Sequence, residues 1–340
     1  MEDWWSVVFT FLQSPLDFRE LGITCKRSYT KLKQFEPQLK NSRHLERLLK
    51  RFPDKPWDLY LLSFNPNLTL DRVKQNPDTG WEIKSSNTDD YQKSQPWYWY
   101  GISTNSSVTT WNTVQQNPDK PWSKYGLSWN PNITFQIIKQ NPDKGDNPQP
   151  PMVHHNKWYW FGISSNPSIT WDIIQQNPDE PWDWGGFSYN SNLTWEIVQQ
   201  NPDKPWEWSA LSGNPLVARW EIIQQNPTKP WDWRKLSSNP NVTWEIIQQN
   251  PTKPWNWRKI SRNPNVTWDI IQQNPTQPWD WRHLSRNPNV TWEIIQQNPT
   301  KPWDMSGFSK NHNLTWEIVT QNPDLEWDWT SISSNPFNSK

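Results

Sequence analysis

Apolar and polar positions recur along most of this chain with a constant step of 24 residues. The motif NPNVTWEIIQQNPTKPWNWRKISR is repeated almost unchanged between Asn239 and Pro302, and its first tryptophan returns at residues 244, 268, 292 and 316. A period between about 20 and 50 residues is typical of supersecondary units that stack on one another. The pattern therefore predicts a repeat array, and the repeat has to be interpreted before any single residue.

The apolar spacing inside the repeat decides between helix and strand. By propensity alone, the segment VTWEII is compatible with a β-strand. The divergent copies keep Val or Ile three residues after the first tryptophan position, from Val73 to Val319, but place Arg72 and Thr113 two residues after it. Apolar residues kept at i and i+3 but not at i+2 indicate a helix. Because the second half of the repeat shows the same i, i+3 spacing, we predict an all-α solenoid with two short helices in each repeat.

Both halves of the repeat can be followed through the chain. The second half has a tryptophan in eleven copies, at residues 57, 97, 122, 158, 182, 206, 231, 255, 279, 303 and 327. The first half has ten copies, and insertions at 79–95 and 144–156 interrupt the rhythm. We predict a repeat array of about ten to eleven units over residues 51–340. Residues 1–50 are predicted to form a helical head or an N-terminal cap that shields the first repeat.

Two polar columns are as constant as the tryptophans. The first helix ends in Asn before Pro in each of its ten copies, and the second helix is followed by Ser-x-Asn in all eleven. An Asn side chain can accept from a backbone N–H just downstream while its amide group donates elsewhere. We expect a ladder that satisfies helix ends in the neighbouring repeat. Its members include Asn226, Asn239, Asn250, Asn263, Asn274, Asn287 and Asn298.

The positions that vary along the array are the candidates for binding. Three and four residues after the second-helix tryptophan, early copies have aromatic residues beside glycines, whereas later copies have Arg and Lys. These side chains are expected to form an aromatic end and a basic end on one ridge. The ridge is either a solvated face that pairs with nearby acids or a docking strip for an acidic or extended partner. Its candidate residues are Tyr100, Phe161, Arg234, Lys235, Arg258, Lys259, Arg262, Arg282, Arg286 and Lys310.

Composition narrows the class of protein. The chain has 31 Trp, and its 34 Lys and Arg balance 34 Asp and Glu. Large aromatic rings give short helices enough buried area for a core. Zero net charge does not favour nucleic acid or an acidic membrane as the main partner. The single cysteine, Cys25, excludes a disulfide framework and favours an intracellular, cytoplasmic setting.

No spacing in the chain is typical of a catalytic site, a metal site or a phosphate-binding loop. The apolar run at residues 4–12 is too short to span a bilayer. We therefore expect a non-enzymatic protein that uses no cofactor and binds protein partners.

Within the predicted head, the segment VVFTFLQSPLDFRELGITCKRSYTKL resembles an F-box. The usual Leu-Pro opening is missing, and Tyr29 stands where tryptophan is commoner. The resemblance implies docking to the Skp-type adaptor of a cullin–RING ubiquitin ligase. The candidate adaptor-binding residues are Phe9, Leu12, Pro15, Leu16, Phe18 and Leu21.

The repeat itself resembles the Asn-Pro- and Trp-rich repeat proteins of giant nucleocytoplasmic DNA viruses, through the motif NPNVTWEIIQQNP and the KPWDW that follows it. In that setting, an F-box-like head on a repeat array implies a substrate receptor that redirects a host ubiquitin ligase to an unknown target. The sequence thus predicts a protein–protein interaction scaffold. The alternatives are a structural component of a virion or viral factory, and a repeat protein that binds nucleic acid through the basic ridge.

Overall fold

A computed structural model describes residues 45, 47–75, 97–143 and 157–337. Every regular element in these ranges is a helix, which confirms the predicted all-α solenoid of two-helix repeats. The candidate adaptor-binding residues of the head and both predicted insertions lie outside the described residues.

The first helix of a repeat begins at the first tryptophan position and is six residues long wherever its bounds are complete. Ten such helices are Leu70–Gln75, Trp111–Gln116, Phe135–Gln140, Trp171–Gln176, Trp195–Gln200, Trp220–Gln225, Trp244–Gln249, Trp268–Gln273, Trp292–Gln297 and Trp316–Gln321. An eleventh comes from residues 45–51, which are helical at every described position and bury Leu45, Leu48 and Leu49. The last residues of the predicted head therefore supply the first helix of the first repeat.

The second helix has four to six residues and closes each repeat. The eleven second helices are Leu59–Ser63, Trp99–Thr104, Lys124–Leu127, Trp160–Ser165, Trp184–Ser188, Trp208–Gly213, Trp233–Leu236, Trp257–Ile260, Trp281–Leu284, Met305–Phe308 and Trp329–Ser333. The described ranges thus contain both helices of eleven repeats.

Local hydrogen bonds define where these helices begin and end. Thr243 is the N-cap of its first helix and accepts from the N–H of Ile246, as expected from the Thr column. The second helix begins two residues after its tryptophan marker, because Asn256 is the N-cap and accepts from the N–H of Lys259. The marker Trp255 instead lies in the connection, where its Nε1 donates to the Asn250 carbonyl at 2.8 Å. The marker ring therefore fixes the turn between the two helices.

The core between the two layers of helices is built from aromatic rings. Trp255 packs edge-to-face on Trp233 of the preceding repeat, with ring centroids 5.2 Å apart and an interplanar angle of 84°. Aromatic pairs prefer this arrangement to a face-to-face stack. Between the tryptophans, one apolar side chain of each second helix is buried, such as Ile260 or Phe308. A repeat with few aliphatic residues can therefore bury enough area to fold.

The array closes on itself. The side-chain amide of Asn65 in the first repeat donates to the carbonyl of Ser333 in the last repeat at 2.8 Å, and the N–H of Asp58 donates to the Ser333 hydroxyl at 2.9 Å. Inside the array, Asn287 makes the same bond to the Ser261 carbonyl at 3.0 Å. We call the contact between the last and first repeats the closing joint.

Aromatic contacts at the closing joint also match those of the other joints. Trp57 and Trp329 lie 5.1 Å apart at 76°, compared with 5.1 Å and 82° for Trp281 and Trp303. Lys55 lies over the Trp329 ring at 5.5 Å, as lysines one repeat apart do over other second-helix tryptophans. Since hydrogen bonds, ring packing and cation–π contacts all continue across it, the solenoid is a ring of eleven repeats.

The second helices form the inner layer of this ring. The closest helix pairs in the described part of the chain are all second helices of neighbouring repeats, including Leu59–Ser63 with Trp329–Ser333. In two concentric layers of equal number, neighbours are closer in the inner layer. With about 9 Å between neighbouring axes, eleven helices form a circle of about 16 Å radius. Side chains that reach about 5 Å from their axis leave a central opening roughly 20 Å wide.

Candidate functional site: the inner face of the ring

The predicted asparagine ladder is present in the Ser-x-Asn column. Asn263 is completely buried, and its Nδ2 donates toward the carbonyls of Ser237, Asn239 and Val242 in the preceding repeat, at 3.1–3.2 Å. Its Oδ1 accepts from the N–H of Asn265 at 2.8 Å, which is the predicted Asx-turn. Asn239 and Asn287 bond to the preceding repeat in the same way. These residues hold neighbouring repeats together, and they are not available to a ligand.

The ladder prediction is wrong for the other asparagine column. The Nδ2 of Asn250 donates to the Ile246 carbonyl of its own helix at 2.8 Å. The backbone carbonyl of Asn250 accepts from the Nε1 of Trp255. The reason is geometric, because an Asn directly after a helix can reach back to the unpaired carbonyl four residues earlier. The same bond within one helix is made by Asn226, Asn274 and Asn298.

The side chains in and next to each second helix that do not enter the core between the layers share one face. They stand one, three, four and seven residues after the marker tryptophan, on the side opposite the buried apolar position. Because the second helices form the inner layer, this face points into the central opening. We call it the inner face, and it contains all ten predicted ridge residues.

Aromatic side chains occupy about half of the inner face and touch one another from repeat to repeat. Tyr60 and Tyr98 have ring centroids 4.5 Å apart, Tyr100 and Tyr125 are 5.5 Å apart, and Tyr125 and Tyr159 stack at 4.3 Å and 21°. Side chains of neighbouring repeats converge in this way on a concave surface. We define the aromatic arc as Tyr60, Phe64, Tyr98, Tyr100, Tyr125, Trp129, Tyr159, Phe161 and Tyr189.

Burial, together with neighbouring phenols, changes the acidity of three tyrosines in the aromatic arc. Burial, followed by the neighbouring Tyr60 and Tyr100, raises the pKa of Tyr98 to about 12. Burial also raises the pKa of Tyr100 and of Tyr159. The hydroxyl groups of these three tyrosines therefore stay neutral throughout the physiological range.

Glycines allow the second helices of the aromatic arc to approach closely. A Cβ placed on Gly126 would lie 2.6 Å from the Tyr100 carbonyl oxygen, and one on Gly162 would lie 3.0 Å from the Trp129 indole nitrogen. The same column has Lys235 and Lys259 in later repeats. The glycines beside the early aromatic residues thus make space for the backbone and the rings of the preceding repeat.

Arginines and lysines occupy the following part of the inner face. Arg258 is 71 % exposed and reaches Asp280 of the next repeat at 3.5 Å, which is a solvated ion pair of little energetic weight. His283 contacts the same aspartate at 2.9 Å. We define the basic arc as Arg234, Lys235, Arg258, Lys259, Arg262, Arg282, Arg286 and Lys310.

Like charges in the basic arc perturb one another across repeats. Burial and then Arg262 and Arg234 lower the pKa of Lys259, so cations from its own repeat and from the preceding one act on one ammonium group. Burial and then Arg282 and Arg262 lower the pKa of Arg286. The Nε of Arg286 is shielded from solvent and has no hydrogen-bond partner among the described residues. The fold therefore concentrates positive charge here and leaves part of its hydrogen-bonding capacity unused.

Two aromatic positions of the inner face were missed by sequence reasoning. Tyr98 and Tyr159 stand one residue after the marker tryptophan, where most repeats have Asp, Asn, Ser or Glu as the N-cap. Neither tyrosine side chain caps its helix, and both lie between rings of the adjacent column. The loss of a capping residue in these two repeats alone was the signal that identifies them.

The described portion of the chain offers no group of three or more His, Cys, Asp and Glu side chains that could hold a metal ion. In the same portion, no helix combines the length and apolar character required to cross a membrane. Comparison of the chain with protein-family models, with curated proteins and with solved structures gives no match. The geometry of the inner face is therefore the basis for any functional argument.

Proposed function

We propose that this protein is a non-enzymatic protein-interaction scaffold that holds its partner on the inner face of the ring. The observation that carries this proposal is the continuous aromatic arc, in which nine rings from five repeats line the opening and the end residues Tyr60 and Tyr189 are 44 % and 49 % exposed. Tyr, Trp and Arg are the residues that dominate binding energy at protein interfaces. A neighbouring stretch of arginines completes that composition.

The rest of the repeat supports this assignment by exclusion of other positions. The tryptophans and aliphatic residues fill the core, and the serine and asparagine of the Ser-x-Asn column bond neighbouring repeats. These positions are nearly constant along the array, whereas inner-face positions differ from repeat to repeat. Variation confined to a converging, solvent-accessible surface is what a specific binding surface requires.

The more specific form of the proposal is a substrate receptor for a cullin–RING ubiquitin ligase. Its support is the F-box-like pattern Phe9, Leu12, Pro15 and Leu21 in the segment that precedes the ring. The chain enters the ring at Leu45, which is buried in the core at the closing joint. In this proposal the head recruits the Skp-type adaptor, and the inner face selects the target protein.

Affinity purification of the full chain from cells tests both parts with three variants. Tyr100→Ser combined with Tyr125→Ser changes the inner face, and Gln248→Ser combined with Gln272→Ser is a control on exposed positions of first helices. The head deletion should end at residue 44, because Leu45 and Leu48 belong to the core of the ring.

The proposal predicts a co-purified target that the tyrosine variant loses and the glutamine variant retains. The Skp-type adaptor should be recovered with both of these variants and lost with the head deletion. Equal recovery of every protein from the tyrosine and glutamine variants would contradict the scaffold proposal. Absence of the adaptor from the full chain would contradict the substrate-receptor form alone.

A further inference from the structure

We propose that the basic arc is a docking site for an acidic segment of a polypeptide, with glutamate or aspartate side chains facing the arginines. This inference rests on the proposed scaffold function and names the chemistry of the partner at one part of the inner face. Charge complementarity is the physical basis of recognition at such a surface.

The charge of the arc is not balanced by its own surroundings. The basic arc has eight Lys and Arg, whereas four N-cap carboxylates lie beside them: Asp232, Asp280 and Asp304 in the same repeats and Asp328 in the following one. Each of those carboxylates also accepts a backbone N–H of its own helix, which occupies part of its acceptor capacity. A local excess of positive charge therefore faces the opening although the whole chain has no net charge.

This arrangement opposes the stability of the free ring. Burial is the first cause of the lowered pKa of Lys259, and Arg234, Arg258 and Arg262 lie close enough to lower it further. These arginines belong to two successive repeats. Other copies of the repeat have Ser306 or Thr330 at the arginine position and fold with the same contacts. Since the fold does not need arginine there, the repulsion is explained by a partner that supplies negative charge.

The separation of the two arcs favours an acidic polypeptide over single-stranded nucleic acid. Proteins that bind single strands place aromatic and basic side chains together, because each nucleotide offers both a base and a phosphate. Here the nine rings end at Tyr189. The first arginine at the position three residues after the marker tryptophan is Arg234, two repeats further on. No base could stack on a ring while its own phosphate met the arginines. A protein segment can present apolar and acidic stretches separately.

The arginine geometry suits carboxylates. Arg258, Arg262 and Arg282 each present a planar guanidinium from an exposed position, and such groups bind carboxylate oxygens with two parallel hydrogen bonds. An extended chain that passes these residues can meet cations from two successive repeats.

Fluorescence anisotropy with the full chain tests this inference. The probes are a labelled oligo-glutamate peptide, an oligo-glutamine peptide of the same length and a single-stranded oligodeoxynucleotide with the same number of charges. The test variant combines Arg258→Gln, Arg262→Gln and Arg282→Gln. The matched control removes three positive charges elsewhere, through Lys120→Gln, Lys139→Gln and Arg219→Gln.

The oligo-glutamate peptide should bind the natural chain, and the arginine variant should weaken it about tenfold, as expected for three solvated charge pairs. The control variant should change the affinity less than twofold, and added salt should weaken binding to the natural chain. Oligo-glutamine should not bind. Tighter binding of the oligodeoxynucleotide, or equal oligo-glutamate affinity in the arginine and control variants, would overturn the inference.

The outcomes separate this inference from the scaffold proposal. If the oligo-glutamate peptide does not bind but the Tyr100 and Tyr125 variant still loses its co-purified target, the acidic-segment inference is wrong and the scaffold proposal stands. If the arginine variant loses oligo-glutamate while the tyrosine variant loses no target, the arc binds acidic chains but the aromatic arc is not the scaffold surface.

Discussion

The side-chain amide of Asn65 donates to the carbonyl of Ser333, 268 residues later in the chain, at 2.8 Å. Elsewhere in the array, asparagines of the Ser-x-Asn column make the same bond to a serine carbonyl of the preceding repeat, as in Asn311 and Ser285 at 2.8 Å. An open solenoid would leave Asn65 without this partner and would expose the last repeat. Closure therefore removes both ends of the array, and it also turns one ridge of the solenoid into the lining of an opening.

The two asparagine columns should differ in their contribution to stability. Asn263→Ala removes a fully buried amide that bonds the preceding repeat, so we expect a loss of about 1–3 kcal/mol in the free energy of unfolding. Asn274→Ala removes a partly buried bond within one helix and should cost about 1 kcal/mol or less. Urea denaturation of both variants checks this, and equal losses would show that bonds between repeats are not the stronger ones.

Two glycines of the second helices should respond in opposite ways to alanine. Gly126→Ala places a methyl group 2.6 Å from the Tyr100 carbonyl oxygen, so we expect a loss of about 2–3 kcal/mol from overpacking. Gly213→Ala meets nothing closer than the Lys235 side chain at 3.9 Å and should gain about 0.5 kcal/mol through reduced chain entropy. Thermal unfolding distinguishes them. A neutral Gly126 variant would mean that the second helices are not in close contact.

Alkaline pH should destabilise the ring through the aromatic arc. The pKa of Tyr98 is about 12 in the folded chain, whereas an unfolded tyrosine titrates near 10, so the unfolded state loses its proton first. Stability present below about pH 10 is then lost as the pH rises toward 12.

The comparison with Tyr98→Phe isolates this effect, since the variant keeps the ring but has no phenol. Urea denaturation between about pH 9 and 11 should show a smaller loss in the variant, by about 1 kcal/mol at most because Tyr98 is partly solvated. Parallel stability curves for the two proteins would rule out a raised pKa at Tyr98.

Removal of one cation from the basic arc should stabilise the free ring. Arg262 contributes to the lowered pKa of both Lys259 and Arg286, so Arg262→Gln relieves repulsion at two positions. We expect a gain of a few tenths of a kcal/mol at low salt that disappears at high salt. Arg219→Gln, which breaks an exposed pair with Glu196, should not gain stability. A loss of stability in the Arg262 variant at low salt would show that the arc has a structural role.

The two-helix repeat was predictable from sequence because packing fixes the residue type at particular steps. Val73 and Val319 retain an apolar position that Arg72 does not, and that difference alone excludes a strand. The first helix of the first repeat was also encoded, since Leu48 and Leu49 precede Trp57 at the same distances as Ile246 and Ile247 precede Trp255. It was assigned to the head because it lacks both the tryptophan and the asparagine of the other copies.

Ring closure and the inner face could not be derived from the sequence in the same way. Closure depends on a rotation of about 33° at each of eleven joints, and no residue pattern records an angle directly. The sequence contains one sign of closure. An open array needs polar capping repeats at its ends, whereas here the first and last repeats keep the ladder residues Asn65 and Ser333. The aromatic and basic ridge was predicted from its variability, but which side of the array it faces follows only from the packing of the second helices.

The most direct test of the closed ring compares two distances between spin labels, each measured by double electron–electron resonance. One protein has Tyr60→Cys and Thr330→Cys across the closing joint, and the other has Arg234→Cys and Arg258→Cys in neighbouring repeats of the array, both with Cys25→Ser. These pairs occupy equivalent positions of second helices, so a closed ring predicts the same short distance in both proteins. A long or broad distance for the first pair, with a short one for the second, would contradict closure.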